Sequence, residues 1–214
     1  IQASVRSLGF KMKDIKIILA SHAHSDHVAG HARARELSGA KVFVMQGDDG
    51  VIRDGGKGQY LYVNSRWRPC PVDKVLKHNE KVTLGGTTLV ARHTPGHTRG
   101  CTTWSCRVKD GGKKRDVVII GSPNVNPGFQ LVKNKDYPRI SNDFATTFKV
   151  LKSLKCDVFL GAHGAYYGML TKYPIFKKKT GKNPFIDPAG YRNYIELKEK
   201  AYLATLAAQK KAAK

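Results

Sequence analysis

Apolar positions along this 214-residue chain recur with two different periods, and each change of period marks an element. Val5 and Leu8 lie three apart before Gly9, which reads as the closing turns of an amphipathic helix. Lys16-Ile17-Ile18-Leu19-Ala20 is apolar but too short for a helix, so it predicts a buried strand. A loop from Ser21 then leads into a helix reaching about Leu37, with Gly39 as its stop. Residues 41–46 predict the next strand and residues 48–53 a short helix or turn, and the chain is then irregular as far as Pro71. Residues 81–84 and 87–92 flank Gly85-Gly86, while residues 101–108 and 116–120 flank Asp110-Gly111-Gly112. Two hairpins therefore make the middle of the chain antiparallel.

After a loop rich in Pro, Asn and Gly over residues 122–138, Ser141 is placed to cap a helix running to Leu154, with Phe144, Phe148 and Leu151 on one stripe. Val158-Phe159-Leu160 predicts a buried strand ending at Gly161. From Asp187-Pro188 a last helix extends to the C-terminus, and its Tyr191, Ile195, Tyr202 and Leu206 read as a core stripe. The whole predicts a single domain over residues 1–214, of mixed α/β class.

Composition narrows the picture. No period of about 20–50 residues repeats, which excludes repeat architectures. No apolar run approaches the roughly 18 residues of a membrane span, so no membrane partner is expected. Lys and Arg number 38 against 16 Asp and Glu, a net charge of +22. That excess attracts any polyanion. Its densest runs, Lys113-Lys114-Arg115 and Lys177-Lys178-Lys179, are not interleaved with aromatics as base-stacking surfaces are. A generally basic solvated surface is the plainer reading, and nucleic acid is a possible partner that is not favoured. Cys70, Cys101, Cys106 and Cys156 show no C-x-x-C spacing, which argues against a cysteine zinc cage. Cys101 and Cys106 fall on opposite faces of one predicted strand and should not bridge each other. A disulfide between other pairs and buried free thiols both stay open.

The chemistry concentrates in Ser21–His31, SHAHSDHVAGH, which holds four of the eight histidines. His22, His24, Asp26 and His27 follow one apolar strand, His97 follows a second in HTPGHTRG, and His163 follows a third in LGAHGAYYG. Loops at strand ends gather ligands from distant positions in layered folds. Four ligands within six residues are too many for one ion, because adjacent side chains diverge. Two ions therefore fit better than one. His22 and His24, two apart on an extended segment, can point the same way, whereas Asp26 and His27 turn toward a second ion as the helix begins. His97 and His163 can complete the sets. Two metals about 3.5–4 Å apart can acidify a shared water and clamp the charge of a hydrolytic transition state. The spacing thus predicts metal-assisted hydrolysis with no serine or cysteine nucleophile. His31, His78 and His93 read as ordinary packed or surface histidines, although His31 and His93 can also stand behind the ligands.

HAHSDH, TPGHTRG and the later GAH resemble the metallo-β-lactamase superfamily, and HTRGCTTW, GSPNVNPGF, CDVFLGAHG and NPFIDPAG resemble its subclass B3 in particular. The likeness runs through essentially the whole chain. It implies a four-layer αββα sandwich lacking its N-terminal strands, because such proteins begin with a further segment that builds the first strands. It implies two zinc ions, one on His22, His24 and His97 and the other on Asp26, His27 and His163. Ser122 stands where another subclass places a cysteine ligand. In the implied reaction a bridging hydroxide, oriented by Asp26, attacks a β-lactam carbonyl, while Ser122, Asn126 and Phe129 line the substrate groove. The resemblance also implies a monomeric periplasmic or secreted enzyme acting on a small-molecule antibiotic. Similar enzymes can pair the cysteine matching Cys156 with one where Tyr191 stands here, so Cys156 is expected to be free. The alternatives are a nucleic-acid phosphodiesterase of the same superfamily, and a zinc-binding but inactive fragment.

Overall fold

In strand β2 (Lys41–Met45), Val42 and Val44 turn to one side and Phe43 and Met45 to the other, and this alternation sets up the layers. These details come from a computed structural model of the chain, which describes residues 1–179, 181 and 183–214. Val42 and Val44 pack with Ala20, Val28, Ala32 and Ile52, in a cluster shared with helices α2 (Ser25–Val28), α3 (His31–Ser38) and α4 (Asp49–Arg53). Met45 and Phe43 face a second sheet, against Val82, Ala91 and Trp104. On the far side of that sheet Val118, Ile120 and Phe159 meet α5 (Ile140–Ser153) and α7 (Pro188–Ala212) through Phe144, Phe148, Tyr191, Ile195 and Tyr202. Three apolar clusters thus separate four layers: helices, sheet, sheet, helices.

The first sheet orders β1 (Ile17–Leu19), β2 and β3 (Lys74–Leu76), all parallel. The second orders β4 (Glu80–Leu84), β5 (Thr87–His93), β6 (Thr102–Asp110), β7 (Lys113–Ile120) and β8 (Val158–Gly161). It is antiparallel through β7, with β8 parallel to β7. Gly85 and Gly86 adopt φ of +55° and +78°, as a two-residue hairpin turn twisted to match its strands requires. The sheets are joined where β1 ends and β6 begins: Thr102 N donates to Ser21 O at 2.7 Å and Trp104 Nε1 to Ala20 O at 3.0 Å. That joint brings the loops after β1, β2, β5, β7 and β8 to one edge.

Several elements depart from expectation. The helix after Ser21 is two helices, α2 and α3, separated at Ala29-Gly30. Arg139, not Ser141, holds the N-cap position of α5, without a capping side-chain bond, and Ser141 lies inside the helix. Strand β3 and helix α6 (Met169–Lys177) were not legible, the first because it has three residues and the second because Pro174 interrupts its pattern. A short helix α1 (Gln2–Ser7) opens the chain, and Asp187 caps α7 by accepting from Gly190 N at 2.8 Å. No helix among the described residues is long and apolar enough to cross a membrane.

Candidate metal centre

His24 holds the N-cap position of α2 with an extended backbone, φ −109° and ψ 154°, so His22 and His24 project to one side before the helix turns Asp26 and His27 to another. His97, from the β5–β6 loop, completes the first group: its ring centroid lies 4.7 Å from both His22 and His24. His163, just beyond β8, completes the second. Its Nε2 lies 3.0 Å from His27 Nε2 and 3.5 Å from Asp26 Oδ2, and the latter two are 3.1 Å apart. In each triad one donor atom per residue falls within 4.8 Å of the others. The triads abut where the His22 and His27 rings approach to 3.9 Å.

The donor set suits a metal. His22, His24 and His97 are buried, and burial disfavours their charged forms. It pushes His24 down to about 4 and His97 down to about 3, with His22 also well below its ordinary value, the neighbouring imidazoles adding to each shift. All three are neutral at neutral pH, the form that ligates. His97 Nδ1–H donates to the Asn124 carbonyl at 2.8 Å, which leaves Nε2 with its lone pair toward the centre. Ser21 Oγ lies 3.2 Å from His22 Nδ1 and 3.4 Å from His27 Nδ1, steadying one ligand of each triad.

Asp48 holds the two main loops together, and nothing in its neighbourhood along the chain marks it beyond a Gly-Asp following an apolar strand. Its carboxylate is fully buried and accepts from Ala23 N at 2.8 Å, Thr98 Oγ1 at 2.6 Å and Gly100 N at 2.8 Å. Ala23 lies between two ligands, and Thr98 and Gly100 follow the third. Burial raises the Asp48 carboxyl, and the three donors oppose that rise. Gly96 has φ +123°, and a Cβ there would meet the Phe144 ring at 2.7 Å, so glycine is required beside His97.

The triads form the floor of a cleft of about 310 Å³ whose walls include Gln59, Tyr62, Asn126 and Tyr166. Gln59 and Tyr62 lie in the irregular stretch after α4 and Tyr166 in a single 3-10 turn after β8, so no apolar period marks any of the three. Asn126 lies on the cleft wall, and its Nδ2 donates to the Tyr62 hydroxyl at 2.9 Å. Ser122 is buried, its Oγ 3.2 Å from the Tyr166 hydroxyl, so it supports the wall from behind. Phe129 does not line the groove. It is 2% exposed and packs behind His97, with ring centroids 5.7 Å apart, and against Tyr60 and Phe144, because its apolar ring completes the α5 cluster.

Outside the triads, His93 Nε2 bonds the Arg99 carbonyl at 2.8 Å, His78 Nδ1 accepts from His93 N at 3.1 Å, and His31 is buried in α3. All four cysteines are free thiols, Cys156 among them.

The family model described as Metallo-beta-lactamase superfamily matches residues 1–110. Among solved structures, the native FEZ-1 metallo-beta-lactamase from Legionella gormanii is 46% identical with a TM-score of 0.94, over 98% of this chain and 80% of that one. BJP-1, a subclass B3 metallo-beta-lactamase of Bradyrhizobium japonicum, is 36% identical with a TM-score of 0.91, over 100% and 80%. LRA-12, a class B3 di-zinc metallo-beta-lactamase from an Alaskan soil metagenome, is 31% identical with a TM-score of 0.88, over 95% and 78%. The chain spans about half the length of the curated relatives it matches, uncharacterized proteins of Mycobacterium bovis (49%) and Aquifex aeolicus (50%).

Proposed function

Since this chain belongs to the metallo-beta-lactamase superfamily, we propose that it is a zinc-dependent hydrolase that opens the β-lactam ring of penicillins, cephalosporins and carbapenems and so gives antibiotic resistance. The observation that carries the reading is the pair of converging triads on the floor of one cleft. His22, His24 and His97 would hold one zinc, and Asp26, His27 and His163 a second. Neutral imidazoles with one carboxylate match the donors zinc prefers. A zinc pair, when bound, supplies an acidified water as nucleophile and Lewis acidity toward the lactam carbonyl.

The chain's own groups have separable tasks around that chemistry. Asp26, whose side chain is 58% exposed, presents Oδ2 beside His27 and His163 and can accept a hydrogen bond from the attacking water, fixing its direction. Asn124 fixes the His97 ring through its carbonyl. Asn126 and Tyr62 bring amide and phenol groups to the cleft wall, suited to a small substrate's carboxylate and amide. Ser122 Oγ is buried against Tyr166 and is not presented as a nucleophile.

The net charge of +22 favours a phosphodiester substrate as the second reading. The cleft weighs against it, because no Lys or Arg stands among its described lining side chains. The β-lactamase reading carries a monomeric, periplasmic or secreted enzyme.

The test measures zinc per chain together with turnover of a carbapenem and a cephalosporin, with and without chelator. Two zincs and chelator-sensitive turnover support the reading. Two zincs with neither substrate hydrolysed overturn it, and RNA cleavage lost in His22→Ala would then favour the second reading. A cooperative melt with fewer than two zincs and no turnover marks a metal-binding protein without the activity.

A further inference from the structure

We propose that α6 docks on the anionic face of a phospholipid bilayer. None of the nine residues of α6 is buried, although most are apolar: Leu170 is 84% exposed, Tyr173 52% and Phe176 47%. At about 100° per residue, Phe176, Met169, Tyr173 and Leu170 fall within one sector of α6, while Pro174 and the half-exposed Ile175 lie on its other side, so the helix is apolar around most of its surface. Lys177 belongs to that face too, its Nζ lying 5.8 Å from the centre of the Tyr173 ring, so its stem runs along apolar surface while its charge reaches outward. Lys178 and Lys179 follow directly. Among the described residues, none of these three lysines makes an ion pair, whereas Lys172, off that face, is bound to Asp187 at 2.6 Å and ties α6 to the start of α7.

Beside the stripe, Tyr173, Phe176 and Pro184 wall an open groove of about 350 Å³, and Phe176 is braced edge-on against Phe185 with centroids 5.6 Å apart. The patch is therefore held in place rather than trailing. Exposed apolar side chains with three lysines at their C-terminal end, unpaired among the described residues, are complementary to a surface that is anionic at its headgroups and apolar just beneath. A nucleic acid would use the lysines but leave Leu170 without a partner. The other dense basic run, Lys113-Lys114-Arg115 at the β6–β7 hairpin, shows the contrast, since it carries charge with no apolar stripe. Docking here is peripheral, because no helix among the described residues can span a bilayer.

The experiment is co-sedimentation of the full chain with vesicles of equal parts phosphatidylcholine and phosphatidylglycerol, against vesicles of phosphatidylcholine alone. Binding to the mixed vesicles only is expected, weakening as salt shortens the screening length. Replacing Lys177, Lys178 and Lys179 by Ala should weaken binding about 100-fold, given the attraction of each lysine to an anionic surface. The double change Leu170→Ser with Phe176→Ser should weaken it at least 10-fold while leaving the circular dichroism unchanged. Lys113→Ala with Lys114→Ala should change it less than twofold. Equal binding to both vesicle types, or equal losses from the hairpin and α6 lysines, would overturn the proposal. So would vesicle binding indifferent to Leu170 and Phe176 and abolished by duplex DNA, or a concentration-dependent dimer that is lost in the Leu170/Phe176 variant.

Discussion

Asp48→Asn tests whether the metal centre is held by a single buried carboxylate. In the parent, Oδ2 accepts from Ala23 N and Thr98 Oγ1, and Oδ1 accepts from Gly100 N. An asparagine keeps the shape. Its amide oxygen can replace Oδ2, but its NH2 then faces the Gly100 N–H, donor against donor. Hydrogen bonds to a charged group contribute about 1.5–3 kcal/mol each, and a buried N–H left without an acceptor costs about 1–3 kcal/mol. The substitution should therefore cost about 2–4 kcal/mol. For a domain of this size, that lowers the melting temperature by roughly 6–12 °C. Asp48→Ala, which strands all three donors, should cost about 3–5 kcal/mol. Because Ala23 and Thr98 adjoin His22, His24 and His97, loosening them should also weaken zinc binding about 10–100-fold. Calorimetric melts of metal-free protein isolate the stability term, and a competitive zinc titration reads the second. A D48N protein that melts within about 2 °C of the parent and binds zinc as tightly would refute the reasoning.

Other consequences are as direct. Gly96→Ala places a Cβ 2.7 Å from Phe144 at a φ of +123°, and should destabilise by about 2 kcal/mol or more in a urea titration. Asp73 bonds Val42 N at 2.8 Å and Arg35 Nη2 at 3.1 Å, which together hold its carboxyl below the usual range. Its contribution is then present above the ordinary carboxylate pKa and lost as pH falls through the lower folded value. Stability measured from pH 6 down to pH 2 should fall less steeply in Asp73→Asn; a parallel curve would contradict this. Burial pushes the Cys101 and Cys156 thiols up to about 12, so in native protein Ellman's reagent should spare both and react at Cys106, the least buried of the four, with all four reacting in denaturant.

The layers and the ligands were unequally legible in the sequence, for physical reasons. Ile17–Leu19, Val42–Met45 and Val158–Leu160 are apolar runs bounded by Gly or polar loops, and local pattern suffices to read them as strands. His22, His24, Asp26 and His27 announce themselves by spacing, because the backbone conformation that orients them spans only six residues. His97 and His163 were reachable through their shared position beyond strands. Asp48 was not, since beside Asp49 at the start of a short helix it looks like any exposed first-turn acid; its burial comes from Ala23, Thr98 and Gly100, up to 52 positions away. Phe129 misled in the opposite sense. The resemblance put it on the loop that lines the groove, but α5 and Tyr60 enclose it.

The unequal burial of the two triads sets an order of events. His22, His24 and His97 are 1%, 9% and 4% exposed, while the Asp26 and His163 side chains are 58% and 46% exposed. Both sets open onto the same cleft, but the second presents far more of its ligand side chains to water and competing chelators. On the two-zinc reading, mild chelation should therefore strip the second site before the first, so that hydrolysis and thermal stability would decline in two separate steps rather than one.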